Sequence, residues 1–324
     1  MAHNVTLIPG DWVGPETTAV VQQLIADVGV DIQWHTFHCP EGLVDDELLN
    51  SARETRRVLM NRLAAPRKPG SLPASIVIRK ELQLWAQIRH VTNLPGLPAR
   101  FDDVDVMIVR ETSEDIYSGF EHQTAPDVFE SVKVTTVEAC ERIARFAFEQ
   151  ARERGREKVT IVHKSNIMKK SDGLFLRTGQ RVAREYPDIV CDEVIVDALC
   201  MKLVRWPQSF DVLLCGNLFG DIVADLAAGL AGGISVGGSH NFGDAIQLFE
   251  NPHGKAEALV GTGRANPIPN LLMAIDLLHS LGEGAAADRL NAALQAALPH
   301  VRTVDLGGTD GCAEVAEAIR ARLA

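Results

Sequence analysis

Residues Val212–Leu226 read VLLCGNLFGDIVADL, a short apolar run that leads into a helical pattern. The apolar run is typical of a strand covered on both faces, and the spacing after Gly220 is that of a helix. The other predicted strands are Val5–Pro9, Val104–Val109, Val159–Val162 and Val194–Val196, and helices are predicted from Pro15 onward and over Val137–Arg154. Strands that alternate with helices predict an α/β fold with a largely parallel sheet.

The composition limits the classes of function. The chain has 324 residues, of which 46% are hydrophobic, and its net charge is −11. This length suggests about two domains, and no stretch approaches the roughly 20 consecutive apolar residues of a membrane helix. Non-specific binding of nucleic acid needs a basic surface, which an acidic chain does not offer overall. We therefore expect no nucleic acid and no membrane among the partners.

The cysteines and the N-terminal residues bear on the cellular compartment. The six cysteines form neither a CxxC pair nor the spacing of a zinc site, so free thiols are expected. The first residues lead directly into a predicted strand without a signal or transit pattern. Both observations predict a cytoplasmic protein.

Polar and charged residues follow four of the predicted strands. They are Arg110, Lys164, Asn166, Asp197 and Asn217. Ligands of open α/β sheets bind beyond the carboxyl ends of the strands, so these residues mark a candidate site. One charged residue at a strand end is usually solvated, and it is the recurrence at four ends that favours a functional role.

Asp221 and Asp225 stand four residues apart in a helical pattern, so both carboxylates lie on one face of the helix. There they repel each other unless a cation lies between them. Carboxylate oxygens are the ligands that Mg²⁺ and Mn²⁺ prefer. Two solvated acids on a surface helix are the alternative, and the apolar neighbours Ile222 and Val223 argue against it.

Arg79, Arg89 and Arg110 are the candidate anion-binding residues. A guanidinium group binds a carboxylate through two parallel hydrogen bonds, and three converging arginines would suit a di- or tricarboxylate. The sequence alone does not show that they converge, and three separate surface arginines are the alternative.

Several long motifs carry a family resemblance. They are Ile8–Glu16 (IPGDWVGPE), Val109–Gly119 (VRETSEDIYSG), Val162–Lys169 (VHKSNIMK), Asn217–Asp225 (NLFGDIVAD) and Phe249–Gly254 (FENPHG). In order and spacing they resemble the β-decarboxylating dehydrogenases, which comprise the isocitrate, isopropylmalate, homoisocitrate and tartrate enzymes. The resemblance runs almost end to end and is greatest to the NAD-dependent isocitrate dehydrogenases.

The resemblance implies a two-domain α/β fold of the isocitrate/isopropylmalate dehydrogenase type, which is not a Rossmann fold. The large domain is discontinuous, comprises residues 1–95 and 239–324, and binds the cofactor. The small domain, residues 96–238, provides the dimer contacts, the catalytic tyrosine and lysine, and the metal-binding aspartates. Each active site is shared between two subunits, so a homodimer is the implied active unit.

The resemblance also implies a role for each candidate residue. Substrate binding is implied for Arg79, Arg89, Arg110, Ser75 and Asn166. A divalent ion, Mg²⁺ or Mn²⁺, is implied at Asp221 and Asp225 together with Asp197 from the other subunit. Lys164, also from the other subunit, assists removal of the 2-hydroxyl proton, and Tyr117 protonates the enolate after CO₂ leaves. Cofactor binding is implied for His253, Gly254, Glu257, Asn266 and Asp305.

The implied reaction is metal-dependent oxidation and decarboxylation of a 2-hydroxy-3-carboxy acid by NAD(P)⁺, with isocitrate, converted to 2-oxoglutarate, as the leading substrate. Pro73 departs from the family pattern, because isocitrate enzymes usually have a serine there that binds the third carboxylate. The loop Asn61–Pro73 reads as exposed, and it carries Arg67 and Lys68. Isopropylmalate, homoisocitrate, tartrate and a phosphonate-bearing malate of specialised biosynthesis are therefore alternatives. A non-catalytic regulatory subunit is the alternative from another class, and the complete set of implied catalytic residues argues against it.

The cofactor preference rests on few residues. NAD enzymes of the family commonly have an aspartate that binds the adenine ribose where this chain has Ala258, and Glu257 is the substitute. Asp305 favours NAD because it would repel a 2′-phosphate, whereas Lys255 would favour NADP. NAD is expected, with NADP as the alternative. Trp12 stands where the family normally has glycine.

Overall fold

The computed structural model describes residues 2–66, 70–251 and 254–323. The strands are β1 (His3–Ile8), β2 (Ile32–Thr36), β3 (Arg57–Met60), β4 (Ala86–Thr92), β5 (Asp105–Glu111), β6 (Glu121–Ala125), β7 (Val128–Ser131), β8 (Lys158–His163), β9 (Val190–Ile195), β10 (Val212–Cys215), β11 (Ser239–Phe242) and β12 (Gln247–Glu250). The α-helices are α1 (Gly14–Asp27), α2 (Asp46–Thr55), α3 (Ala74–Glu81), α4 (Val137–Glu153), α5 (Ser171–Ala183), α6 (Val196–Arg205), α7 (Asn217–Ala231), α8 (Ile268–Ser280), α9 (Gly284–Ala297) and α10 (Cys312–Arg320).

The chain forms two compact units. The first comprises Met1–Leu84, Asn93–Arg100 and Gly232–Ala324, and the second comprises Trp85–Thr92 and Phe101–Ala231. The sequence-based domain division differs in that it assigns β4 to the large domain and residues 96–100 and 232–238 to the small one. The structure places β4 with the second unit because this strand pairs with β5 along its entire length. The separate functions that the sequence analysis assigns to the two domains stay a prediction.

The first unit contains a mixed sheet with the strand order β2-β1-β3-β12-β11. All neighbouring strands in it are parallel except β11 and β12. The predicted first strand is confirmed, since Val5–Ile8 is buried in β1. The predicted helix after it is also confirmed, and Pro15 lies at its first turn, where a missing N–H costs no hydrogen bond.

A hydrophobic cluster in the first unit positions α3. It joins the buried side chains of β3 and β12 to Leu48 on α2 and Ile78 on α3. Ile78 is fully buried and directly precedes Arg79, so its packing sets where the candidate residues Ser75 and Arg79 project from the helix.

The second unit contains a sheet with the strand order β4-β5-β10-β8-β9. Only the β4–β5 pair is antiparallel, and the other three pairs are parallel, which confirms the predicted largely parallel α/β fold. Parallel strands end at the same edge of a sheet, so the residues that follow β5, β10, β8 and β9 lie along one edge. The hairpin β6–β7 is a separate two-stranded element with every residue exposed.

Two sequence-based expectations need correction. Asp197 does not directly follow a strand, because β9 ends at Ile195 and Asp197 lies in the first turn of α6. The loop after β3 is not exposed throughout, since Asn61 is buried and its Nδ2 donates a hydrogen bond to Thr18 Oγ1 over 2.7 Å. Arg67 and Lys68 lie outside the described residues.

The cysteines are free, as expected. Burial is the main cause that raises the pKa of Cys39 to about 11 and that of Cys140 to about 12. These thiols are therefore protonated at neutral pH and poorly nucleophilic. Among the helices that the structure describes, none has both the length and the apolar character needed to cross a membrane.

Leu48 and Leu43 allow a matched test of the core of the first unit. Leu48 is 1% exposed and Leu43 is 67% exposed. We expect Leu48→Ala to lower the free energy of unfolding by about 2–5 kcal/mol, because it leaves a cavity. Leu43→Ala should change it by less than about 0.5 kcal/mol. Chemical denaturation followed by circular dichroism measures both values, and equal losses would contradict this assignment of the core.

Candidate active site

Two arginines contact the acidic pair of α7. Arg110, at the end of β5, binds Asp221, and Arg89 Nη1 on β4 lies 2.5 Å from Asp225 Oδ1. The aspartates are one helical turn apart, as predicted, and their mutual repulsion is offset by these cations. The structure thus brings together four residues that the sequence assigned to metal and substrate binding.

Arg110 is held in a fixed orientation by buried amides. Its Nε and Nη2 donate to Asn217 Oδ1 over 3.0 and 2.7 Å, and its Nη1 lies 3.4 Å from Gln87 Oε1. Asn217 Nδ2 in turn donates to the backbone carbonyl of Glu114 over 3.0 Å. Asn217 was among the residues at strand ends that marked the candidate site, but it was given no role of its own; it is the first residue of α7, two positions after β10 ends. Gln87 left no such signal.

Tyr117 completes this cluster. Its hydroxyl donates a hydrogen bond to Asp221 Oδ2 over 2.5 Å, and the Arg110 guanidinium lies 5.2 Å from the centroid of its ring. Burial, followed by the Asp221 carboxylate, raises the pKa of Tyr117 above its ordinary value, and the opposing effect of Arg110 is smaller. A tyrosine acts more readily as a catalytic acid when its pKa is lowered toward neutrality. In this arrangement the pKa of Tyr117 is instead raised.

Arg89 has hydrogen-bonding capacity beyond its contact with Asp225. Its Nε and Nη2 are buried and make no hydrogen bond to the described residues. Buried donors of a charged group are costly to leave unpaired. A carboxylate matches two such donors in geometry and charge, which agrees with the predicted role of Arg89 in substrate binding.

The donor set of Asp221 and Asp225 fits a divalent cation. Both side chains are partly exposed, at 47% and 67%, and each supplies hard carboxylate oxygens. Mg²⁺ is commonly bound by one or two carboxylates, with substrate and water supplying the other ligands. Within residues 2–66, 70–251 and 254–323, no three side chains of His, Cys, Asp or Glu are grouped so that they could hold a metal ion.

Lys164 and Asp197 form a separate pair in the second unit. Lys164 Nζ lies 2.5 Å from Asp197 Oδ1, and this hydrogen bond lowers the pKa of Asp197. Neither side chain shares a hydrogen bond or ion pair with Tyr117 or Asp221 among the described residues. Asn166 is exposed. This separation is compatible with the implied arrangement, in which the pair serves the site of a second subunit.

The remaining predicted substrate residues lie on α3 of the first unit. Ser75 and Arg79 are one helical turn apart, and Pro73 precedes the helix without offering a side-chain donor. Arg79 Nη2 lies 2.6 Å from Glu250 Oε2 at the end of β12. Glu250 was missed by sequence reasoning because a contact over 171 positions leaves no local signal.

The predicted cofactor residues form two groups in the first unit. Asn266 Nδ2 donates to Asp305 Oδ2 over 2.9 Å, and Ser235 donates to the same oxygen over 3.1 Å. Glu257 contacts Lys255, with 3.7 Å between its carboxylate and the ammonium group. Gly254, which directly precedes Lys255 in the sequence, is exposed. His253 lies outside the described residues.

Trp12 has a left-handed backbone, with φ at +53°. This conformation costs a non-glycine residue about 1–2 kcal/mol, which accounts for the glycine that the family motif normally has there. The Lys255 ammonium lies 5.3 Å from the centroid of the indole ring. Such a cation–π contact contributes about 0.5–1 kcal/mol at an exposed site and offsets only part of the backbone cost.

Residues 4–319 match the family model described as isocitrate/isopropylmalate dehydrogenase. The chain belongs to this family. It is accordingly a β-decarboxylating dehydrogenase, and its fold is that of the family and not a Rossmann fold.

Relatives and a solved structure within the family are similar over nearly the whole chain. A mitochondrial NAD isocitrate dehydrogenase catalytic subunit 5 of Arabidopsis thaliana is 40% identical, over 98% of this chain and 87% of its own length. The regulatory subunit 1 from the same plant is 41% identical, over 98% and 89%. The crystal structure of isocitrate dehydrogenase from Methylococcus capsulatus has a TM-score of 0.94 at 39% identity, and covers 99% of both chains.

Two glycines of α7 provide a matched test of the Arg110 position in this dehydrogenase. A Cβ atom at Gly220 would lie 2.7 Å from Arg110 Cγ, whereas one at Gly229 would meet no atom within 4 Å. Gly220→Ala should raise KM for the acid substrate about ten- to hundredfold, the equivalent of one lost charge-assisted hydrogen bond of about 1.5–3 kcal/mol.

Gly229→Ala is the control. It should leave KM unchanged and stabilise the protein by about 0.5–1 kcal/mol, as expected for alanine in a helix interior. Steady-state kinetics and thermal unfolding distinguish the two variants. Unchanged kinetics in Gly220→Ala would show that the position of Arg110 is not important for substrate binding.

Proposed function

We propose that this dehydrogenase catalyses the NAD-dependent oxidative decarboxylation of a 2-hydroxy-3-carboxy acid, with isocitrate as its substrate. The observation that carries the proposal is the direct contact of Arg110, Tyr117 and Asp221. This reaction requires three groups close together: one that binds an anion, one that donates a proton, and a carboxylate that binds a metal.

The substrate would be held through its carboxylates. Arg89 and Arg110 offer guanidinium groups that bind carboxylates in a bidentate manner, and the buried donors of Arg89 support this role. Ser75 lies one turn from Arg79 on α3, where its hydroxyl can join Arg79 in binding a third carboxylate. The Ser75 hydroxyl therefore supports isocitrate as the substrate despite Pro73.

Asp221 and Asp225, with Asp197 of a second copy, would hold a divalent ion, which would supply a positive charge next to the developing oxyanion, and bound NAD would supply the hydride acceptor. Lys164, also of a second copy, would assist removal of the 2-hydroxyl proton once its Nζ has left the hydrogen bond that it donates to Asp197 in this structure. After CO₂ has left, Tyr117 Oη donates its proton to C3. Its raised pKa keeps the hydroxyl protonated until then.

We further propose a homodimer with shared sites. The Lys164–Asp197 pair is not joined to Tyr117 by hydrogen bonds or ion pairs of the described residues, which supports a role in another subunit's site. Large exposed apolar side chains on the hairpin and on α6 support a self-association surface; examples are Phe129 at 65%, Met201 at 49% and Val204 at 50% exposure.

Two other functions remain to be tested against this proposal. Pro73 favours a substrate with a substituent other than a carboxylate, such as isopropylmalate or a phosphonate-bearing malate. A non-catalytic regulatory subunit is disfavoured because Arg110, Tyr117 and Asp221 are present together and in contact.

Turnover of a substrate panel tests the function. The purified protein is assayed with NAD⁺ or NADP⁺ and Mg²⁺ or Mn²⁺ on isocitrate, homoisocitrate, 3-isopropylmalate, malate, tartrate and phosphonomethyl-malate. We expect NADH and CO₂ from isocitrate, loss of activity with EDTA, recovery with Mg²⁺, and a dimer by light scattering. If the protein turned over another acid but not isocitrate, that acid would be its substrate. No activity on any acid of the panel would favour a regulatory subunit.

Asp305 tests the cofactor preference. Its carboxylate accepts hydrogen bonds from Asn266 and Ser235, and its charge opposes a 2′-phosphate. Lys255, which would attract that phosphate, lies near the Glu257 carboxylate. Asp305→Asn should shift the ratio of kcat/KM for NAD⁺ and NADP⁺ toward NADP⁺ by about tenfold, or ~1.4 kcal/mol. Asp288→Asn, an equal change of charge on α9, is the control, and an equal shift in both variants would exclude a local role for Asp305.

A further inference from the structure

Lys133 joins two buried aspartates in the second unit. Its Nζ lies 2.8 Å from Asp172 Oδ1 and 3.4 Å from Asp115 Oδ2, and 5.0 Å from the ring centroid of Phe219. Asp115 and Asp172 are 4% and 3% exposed. Neither Lys133 nor these aspartates has a role in the reaction described above.

Asp172 connects Lys133 to the proposed base. Its Oδ2 accepts a hydrogen bond from the backbone N–H of Lys164 over 2.6 Å, while its Oδ1 faces Lys133. The carboxylate therefore spans the two lysines. Because Lys164 directly follows β8, this hydrogen bond determines the direction in which its side chain leaves the sheet edge.

Asp115 connects Lys133 to the proposed acid. Its Oδ1 accepts from the backbone N–H of Ile116 over 2.8 Å and thereby caps the turn that carries Tyr117. Its Oδ2 accepts from the backbone N–H of Leu218 over 3.2 Å, in the first turn of the helix that carries Asp221. One carboxylate therefore fixes both residues of the Tyr117–Asp221 hydrogen bond.

The strained backbone of Asp115 makes the link between Lys133 and the Tyr117 turn sensitive to loss of a contact. Its φ is +73°, a left-handed value that costs a non-glycine residue free energy. Its N–H donates to the carbonyl of Val134, the neighbour of Lys133, over 3.1 Å. The strained conformation depends on these contacts, so loss of the Lys133 charge would act directly on the Tyr117 turn.

Among the described residues that line the space at the two aspartates, Lys133 is the only basic one. The residues around the two aspartates enclose a cavity of about 20 Å³, which also borders Glu111 and Glu114. A space of this size holds about one water molecule. Removing the ammonium would leave buried carboxylates without a cation, which is strongly unfavourable.

We propose that Lys133 is a positioning residue that sets the Lys164 and Tyr117 elements in register through Asp172 and Asp115. The proposal rests on the proposed function only for the chemical roles of Lys164 and Tyr117. The contacts by which Lys133 orders both elements are independent of those roles.

Lys133→Met, which keeps the apolar stem without the charge, is the test, and Lys133→Arg is the rescue variant. We expect Lys133→Met to lower kcat about 10- to 100-fold, the effect of a small misplacement of reacting groups. KM for isocitrate should change little. The deuterium isotope effect on kcat with C2-deuterated isocitrate should change, and Lys133→Arg should recover most of the rate.

Lys158→Met is the matched control. Lys158 is also partly buried in the second unit, with its Nζ 2.7 Å from the Ser209 carbonyl, 3.7 Å from Asp192 and 5.8 Å from the Phe210 ring centroid. Its hydrogen bond, ion pair and ring contact, as far as the structure describes the chain, include none of the proposed catalytic residues. This variant should retain kcat, KM and the isotope effect.

Amide hydrogen exchange provides a readout that needs no activity. Lys133→Met should accelerate exchange in peptides covering 163–173 and 114–120, and Lys158→Met should not. Unchanged exchange in both peptides, or a rate loss that Lys133→Arg does not recover and that leaves the isotope effect unchanged, would overturn the proposal. If the wild type turned over none of the acids, the proposed function would fail, and exchange alone would decide whether Lys133 orders both elements.

Discussion

The buried guanidinium of Arg110 is the group on which the site in the second unit depends. A charged side chain that is 7% exposed must find partners, because an unpaired buried charge is very costly. Its partners come from two directions, since Gln87 lies on the adjacent strand β4, whereas Asn217 and Asp221 lie on the helix that follows β10. The parallel pairing of β5 with β10 places Arg110 opposite Cys215, two residues before Asn217. The strand register therefore determines the chemistry.

The same constraint explains the composition of α7. The helix must approach the Arg110 stem so closely that a side chain at position 220 would overlap it, and glycine is the residue that permits this. Asp221 then reaches the guanidinium, and one turn later Asp225 reaches Arg89. The motif NLFGDIVAD thus combines a partner for the arginine, a close approach and an acidic pair within nine residues.

Local patterns in the sequence predicted the features that depend on neighbouring residues, namely the strands, the helices and the side chains that share a helix face. Apolar runs located the main strands, and the spacing of Asp221 and Asp225 correctly placed both on one helix face. Contacts between distant residues left no such signal: Glu250 beside Arg79, Gln87 beside Arg110, and Lys133 between Asp115 and Asp172. Periodicity shows which face of an element is buried, but the identity of its partner depends on strand order, which a single sequence does not encode locally.

The geometry of Tyr117 constrains the order of proton movements. A phenol carries one proton, and that of Tyr117 is donated to Asp221 Oδ2 over 2.5 Å. To protonate a substrate carbon, Tyr117 must give up this hydrogen bond, and Asp221 must satisfy the freed oxygen in another way. A divalent ion held by Asp221 and Asp225 would supply that other partner, and metal binding and proton donation would then be linked through Asp221. Burial, and after it the Asp221 carboxylate, raise the pKa of Tyr117, so the hydroxyl keeps its proton in this arrangement and Asp221 is the group that must release it.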